Sequence, residues 1–457
     1  MRISAPQLEP DPPVNTRSGP TIALLNWSHL IEDVLDHLGV SFDTFRDEFR
    51  GSWIFGYIDA LQMAGVRTVL FCVSARVVAP WRFIHAPTGS PVCVLPALTA
   101  YRAIRRRVPN PYGCTVEEAF GNVDAVRRPV FAALKDIAAY LATPLKLLAS
   151  EVRREGCNAI LCQDYEHARF DACVFLGKLM RLPVFATFQG GDTQYTTLER
   201  PLRPLTLRAC AGLIIATQSE ARRVYSRYGI PPAKVARIFN PIDVAMWRAT
   251  SRQEARAELD IPLGARVVVW HGRVLLHRKG LDLLLDAWGQ ICRQRAGRDL
   301  RLLLVGTGND AEELGQLIAA MELPGVTWVK TFVHDRNVIR RYLSAADIYI
   351  LPSRHEGFPV ALMEAMACGL PVVAADAPGV PDILEGGVAS GGLVVPRNDA
   401  CALAMALGRV LDDETWGREL GALARRRAEA TFSLEAVGKQ LRAFLSSRSP
   451  SASAPKA

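Results

Sequence analysis

Glu356 and Glu364 bracket the segment Glu356-Gly357-Phe358-Pro359-Val360-Ala361-Leu362-Met363-Glu364, which runs on through Ala365-Met366-Ala367-Cys368-Gly369-Leu370-Pro371. A strand-like run over 346–351 leads into it. Pro359 marks the first helical position, where a missing N–H costs nothing, and Gly369 marks the end of that helix. One carboxylate therefore lies in the loop before a helix N-terminus and the other in the helix's second turn. Between them, free first-turn N–H groups and the positive end of the helix dipole attract an anion. That arrangement suits a molecule with phosphate in the middle and a hydroxylated ring on each side, such as a nucleotide-sugar. Glu356 would accept from sugar hydroxyls and Glu364 from ribose hydroxyls. Two glutamates alone suit a solvated amphipathic helix better; the flanking Pro, Gly and strand pattern, with the constellation that follows, turn the reading to a site.

A second constellation points the same way. Val267-Val268-Val269-Trp270-His271-Gly272-Arg273 reads as a buried strand and a glycine turn, followed by Lys279-Gly280 and a helix-like run over 281–288. Arg273 can grip phosphate with two parallel hydrogen bonds, while Lys279 is a compact point charge. Both fall at the carboxyl end of an expected strand, where open α/β sheets bind ligands.

The spacing E-x7-E followed by A-x-A-x-G-x-P-V-V resembles the signature of the retaining glycosyltransferases of family 4, which have the GT-B fold. The Arg273 to Lys279-Gly280 stretch is similar to that family's segment for neutralising the donor diphosphate, and Gly306-Thr307-Gly308 matches a family turn. Motif-level resemblance covers residues from about 180 to 435. It implies catalytic roles for Arg273, Lys279 and Glu356. Donor contacts would come from Glu364, the N–H groups of Gly357, Phe358 and Val360, and the turns at Gly272 and Gly306. It further implies transfer of a sugar from a nucleoside diphosphate to an acceptor hydroxyl, with retention of configuration. Cations and a helix dipole already neutralise the phosphates, no acidic D-x-D motif is present, and neither metal nor cofactor is expected. Another GT-B enzyme, an epimerase or phosphorylase, or a catalytically inactive nucleotide-sugar-binding protein, stays open as an alternative.

These residues need elements to hold them. A chain of 457 residues is too long for one compact core. Strand-like and helix-like runs alternate, as parallel α/β sheets require. Expected strands are 21–26, 68–73, 159–163, 184–188, 212–216 and 235–239 in the first half, and 265–271, 301–305, 326–332, 348–352, 371–375 and 393–395 in the second. Helices are expected over 53–63, 130–155, 167–180, 200–210 and 220–228. The fold class is thus α/β, and the resemblance makes it two doubly wound Rossmann-like domains facing a cleft. Expected divisions are a disordered tail over 1–19, an acceptor-side domain over 20–245, a donor-binding domain over 246–432, a helix over 433–448 crossing back to the first domain, and a disordered tail over 449–457.

The first half departs from the family's pattern. No Gly-Gly loop follows the first strand, although Gly51-Ser52 stands before a helix. Thr187-Phe188-Gln189-Gly190-Gly191-Asp192 stands where many members have His-Gly-x-Asp, and Gln189 cannot act as a base. Gln189, Asp192, Asp164 and Glu166 are the acceptor-side candidates, with Tyr165 offered for stacking on a ring. Residues 76–122, rich in proline and aromatics, read as an irregular segment that packs on the domain or widens the acceptor surface through Trp81 and Tyr101.

Composition narrows the partners. The net charge of +8 favours anions, but the cations are dispersed and no nucleic-acid-binding motif appears. The expected partners are a nucleoside-diphosphate sugar, a sugar, glycan or lipid-linked acceptor, and an acidic membrane surface at the periphery. No apolar run is long enough to span a bilayer. Ten scattered cysteines without metal spacing read as reduced thiols of a cytoplasmic protein.

Overall fold

The computed structural model describes residues 19–26, 28–50, 53–108, 115–190, 196–333 and 335–448. Asp192, the Gly51-Ser52 loop and nearly all of both expected tails lie outside the described residues.

The chain divides into two compact units. One comprises Met1–Ala216, Glu220–Ile238 and Gly438–Ala457; the other comprises Thr217–Ser219 and Phe239–Val437.

The first unit is built on an eight-stranded sheet of β1 (Thr21–Leu25), β2 (Arg67–Ser74), β3 (Trp81–His85), β4 (Ser90–Pro96), β5 (Ala159–Cys162), β6 (Val184–Thr187), β7 (Gly212–Ile214) and β8 (Val235–Ala236). Its order is β3-β4-β2-β1-β5-β6-β7-β8. Every neighbouring pair is parallel except β3–β4. Short runs such as Ala-Ile-Leu-Cys in β5 are buried along their whole length, as strands covered on both faces must be. The chain's last helix, Leu434–Ser447, ends in this unit: Phe444 packs edge-on against Phe185 with ring centres 5.7 Å apart, and Arg442 donates to the Ala64 carbonyl at 2.7 Å.

The second unit has six strands, β9 (Arg266–His271), β10 (Leu300–Val305), β11 (Val326–Val329), β12 (Ile348–Leu351), β13 (Val372–Ala375) and β14 (Gly392–Val395). Their order is β11-β10-β9-β12-β13-β14 and all are parallel. Trp270 and Trp288 are fully buried in its core. Each sheet reverses its winding once, between β1 and β5 in the first unit and between β9 and β12 in the second. The loops at the carboxyl ends of those pairs diverge and leave room for a ligand.

The structure corrects several expectations. The described residues of 76–122 are not irregular. They hold the antiparallel hairpin β3–β4 and helices Thr99–Arg105 and Val116–Phe120. The signal was the alternation Trp81-Arg82-Phe83-Ile84-His85, obscured by Pro91. That proline precedes Val92, the first β4 residue to pair with β2, so its missing N–H costs the β2 ladder nothing. The helix expected over 130–155 is two, Arg128–Leu141 and Leu145–Arg154, because Pro144 lacks an N–H and keeps Thr143 from continuing the first. The strand expected over 235–239 keeps only two residues. Pro359 caps its helix with ψ 99° instead of opening it, and Val360 is the first helical residue.

Candidate active site

The switch point of the second sheet is assembled by backbone ties. After β9, the Gly272 N–H donates to Val305 O at 3.0 Å and the Val274 N–H to Thr307 O at 3.0 Å, so the strand's continuation is stitched to the turn after β10. Gly306 permits this approach: at φ 136°, a Cβ there would sit 2.0 Å from Gly272 O. A single turn, Leu276–Lys279, then ends at Gly280, which has φ 64°. A Cβ on Gly280 would lie 2.1 Å from Pro352 O, so glycine lets the Lys279 turn press against the end of β12.

The loop after β12 is clamped onto that same turn. Arg354 and His355 donate their N–H groups to Arg278 O at 3.0 and 3.3 Å. The Arg354 guanidinium grips both oxygens of Asp282 at 2.7 Å and reaches His277 O at 2.7 Å. Glu356 is thereby brought to Lys279, whose ammonium donates to both carboxylate oxygens at 2.7 and 2.8 Å, while Ser353 Oγ donates to Oε1 at 2.6 Å. The Glu356 carboxylate is buried and fully engaged.

Helix Val360–Ala367 follows. It closes with Leu370 N bonding to Ala365 O and Gly369 N to Met366 O, the double bond of a left-handed glycine cap. Its start is open: the N–H groups of Gly357, Phe358 and Val360 have no acceptor among the described residues. Phe358 is buried, stacked on Phe239 at 5.5 Å, which anchors the loop. Glu364, one turn further, accepts from His271 Nε2 at 2.9 Å and remains partly exposed. Arg273 is exposed and makes no ion pair or hydrogen bond among the described residues.

The structure thus gathers Gly272, Arg273, Lys279, Gly306, Glu356 and Glu364 at one sheet end. Sequence reasoning gave His271 no role. The available signal was one polar ring closing the apolar run Val267-Val268-Val269-Trp270.

The corresponding end of the first sheet is organised differently. Asp164 follows β5 with φ 89°, a strained conformation for a non-glycine residue. It donates its N–H to Thr187 Oγ1 at 3.2 Å and accepts from Glu166 N at 3.0 Å. Burial pushes its carboxyl up to about 6. Glu166, also buried, pairs with Arg223 at 3.2 Å. Gln189 Nε2 donates to Thr187 Oγ1 at 3.2 Å, and its side chain bonds the buried Tyr57 hydroxyl. So Asp164 and Gln189 converge on Thr187, and Glu166 joins them only through Asp164.

Tyr165 does not face a ligand. It is fully buried, stacked on Phe188 at 5.7 Å, because the left-handed turn at Asp164 directs the following residue into the core. Tyr101 is fully buried too, so neither ring offers acceptor surface. Below these loops Arg169 ties Asn26 O, Asn26 Oδ1 and His29 O at 2.8 Å each. Burial and the nearby guanidiniums hold two imidazoles far below their ordinary range, His29 at about 3 and His167 at about 4. Sequence reasoning missed this network, whose members are far apart in the chain.

Residues 265–413 match the family model described as glycosyl transferases group 1, and residues 58–246 match glycosyltransferase family 4. Two solved structures share the architecture. Sucrose-phosphate synthase from Thermosynechococcus elongatus superposes with a TM-score of 0.64 at 21% identity, covering 94% of this chain and 98% of that one. Anabaena HepE in complex with UDP gives 0.66 at 17% identity, covering 93% and 100%. The fold is GT-B, and the chain belongs to the family 4 glycosyltransferases. Among curated relatives, a D-inositol 3-phosphate glycosyltransferase of Kineococcus radiotolerans is 32% identical over 237 residues, 49% of this chain and 54% of the relative. A putative colanic acid biosynthesis glycosyltransferase, WcaL of Salmonella typhimurium, is 32% identical over 225 residues, 48% and 52%. The chain spans about half the length of the curated relatives it matches.

Proposed function

We propose that the chain transfers a sugar from a nucleoside-diphosphate sugar to an acceptor hydroxyl, with retention of anomeric configuration and without a metal ion. The observation that carries this reading is the convergence, at one switch point, of a guanidinium and a helix start without partners among the described residues, an ammonium and two carboxylates. As the glycosidic bond breaks, negative charge grows on the departing diphosphate. Arg273, Lys279 and the N–H groups of Gly357, Phe358 and Val360 lie at that switch point and can stabilise such charge; groups of this kind are worth roughly a hundredfold to a thousandfold in rate each. Diphosphate entering the site draws on the Lys279 ammonium. That releases lone pairs of Glu356 for sugar hydroxyls, while Ser353 keeps the carboxylate in place. With this charge supplied by the protein, the acceptor hydroxyl bonds to the anomeric carbon from the face the diphosphate leaves. The carbon–oxygen bond to the diphosphate breaks and the hydroxyl proton passes to the departing phosphate oxygen, so the configuration is retained.

The first unit's loops at Asp164–Glu166 and Gln189 are the proposed acceptor surface, suited by polarity to a sugar, glycan or lipid-linked acceptor. A lipid-linked acceptor agrees with the exposed stripe Val130, Leu134 and Ile137 on helix Arg128–Leu141, which packs against the helix that precedes the exposed Arg106 and Arg107. An apolar stripe on a helix packed against one that leads into exposed cations fits the periphery of an anionic membrane. Among the described residues no helix is long and apolar enough to cross a membrane.

Incubating the chain with UDP-sugars and candidate acceptors in EDTA, and reading the anomeric coupling constant of the product by NMR, tests the proposal. Transfer with retained configuration is expected; inversion, or dependence on a divalent cation, would contradict it.

A further inference from the structure

His271 closes a strand whose preceding residues, Val267 to Trp270, are all apolar and buried. It is itself only 8% exposed. Nε2 lies 2.9 Å from Glu364 Oε2, whereas Nδ1 is buried without a hydrogen-bond partner among the described residues. Facing a carboxylate, Nε2 carries the proton and Nδ1 is left as a bare buried acceptor. An unpartnered buried polar atom is costly, and an apolar side chain of similar shape would avoid that cost. The polar ring is worth its place only through its other nitrogen. The ring plane is fixed by Tyr349, fully buried and edge-on at 5.4 Å. One Glu364 oxygen is thereby pinned, and Oε1 has no partner among the described residues.

We infer that His271 is a positioning residue for substrate recognition: it holds Glu364 by Oε2 so that Oε1 alone meets the ribose hydroxyls of a nucleoside diphosphate. The inference rests on reading this switch point as a nucleoside-diphosphate site. Without the imidazole, Glu364 has no side-chain partner on β9 and turns among rotamers, and discrimination between ribose and deoxyribose falls.

The two ring nitrogens give a test that separates positioning from space-filling. The amide nitrogen of Gln stands near the position of Nε2, and that of Asn near Nδ1. UDP, GDP and ADP are titrated calorimetrically into the full chain. The tightest binder is then compared with its 2′-deoxy and 3′-deoxy counterparts in wild type, H271Q, H271N and H271L. Wild type and H271Q should prefer the ribonucleotide over one of the deoxy forms by about tenfold, the loss expected when one charge-assisted hydrogen bond is missing. H271N and H271L should lose most of that preference, with Tm close to wild type. Should H271L not fold, H271N and H271Q carry the comparison. An unchanged preference in H271N would overturn the inference while leaving the nucleotide site standing. No binding of any of the three nucleotides to wild type would overturn both.

Discussion

The carboxyl ends of the two sheets are both rich in charge, but they use it in opposite ways. Among the described residues of the second unit Arg273 has no partner, three N–H groups are open, and one Glu364 oxygen is unbonded. In the first unit Arg203 is completely buried, bonded to Glu199 at 3.1 Å and Asp171 at 3.3 Å, and Arg169 is spent on backbone carbonyls. Uncommitted groups can stabilise charge that arrives with a substrate. Committed groups hold loops in conformations they would not otherwise adopt, as at Asp164. The difference separates groups available to a ligand from groups spent on holding the fold, and it orders the consequences of mutation.

The largest effect on stability is expected for Arg203→Leu. Removing one member of a buried ion cluster leaves Glu199 and Asp171 as uncompensated charges, a cost of about 3–5 kcal/mol. Urea unfolding monitored by circular dichroism measures it. A loss comparable to that of an exposed arginine would erase the contrast between the two ends. Next comes Arg273→Ala, which should leave stability within about 0.5 kcal/mol of wild type and lower kcat by about a hundredfold or more. Lys279→Ala should lower kcat similarly. A variant with full kcat and a raised donor KM would mean that these cations serve ground-state binding alone.

A pH experiment sharpens the same comparison. The folded-state pKa of Asp164 is raised to about 6 by burial, above its unfolded value near 4. The native state therefore holds more protons between those values, and this contribution is present at acid pH and lost as pH rises through about 6. Asp164→Asn keeps the left-handed turn and the acceptor for Glu166 N, and cannot ionise. Relative to wild type it should gain roughly 1–3 kcal/mol on going from pH 4 to pH 7. A pH-independent difference would show that Asp164 is not held protonated. The smallest effects are expected for Glu166→Ala and Gln189→Ala, which should raise the acceptor KM several-fold with donor affinity unchanged. Unaltered acceptor kinetics would make these loops purely structural.

The same contrast explains what the sequence could tell. The second unit's site was legible because its parts are local: Gly272 and Arg273 close one strand, Lys279-Gly280 follows within one turn, and Glu356 to Gly369 is a single strand–loop–helix segment. Buried parallel strands such as Val267-Val268-Val269 and Leu302-Leu303-Leu304 announced themselves as apolar runs. The first unit was harder because its contacts are remote. Arg169 meets Asn26, and Arg223 meets Glu166, through tertiary packing that no spacing encodes. Tyr165 looked available as an aromatic in a polar loop, but one left-handed residue turned it inward. The hairpin β3–β4 was hidden by Pro91, a strand breaker at a position where no bond to β2 was at stake. His271 was visible but mute, because its meaning depends on Glu364, 93 positions away.

The most direct test of the donor site is a calorimetric titration of UDP, GDP and ADP into wild type and into a double variant carrying Arg273→Ala and Glu364→Ala, with folding checked by Tm. Saturable binding of at least one nucleotide to wild type is expected, weakened by about a hundredfold or more in the double variant at an unchanged Tm, since a charge-assisted phosphate contact and a ribose contact are both lost. Equal affinity in the two proteins would place the nucleotide elsewhere and contradict the assignment of the β9–β12 switch point as the donor site.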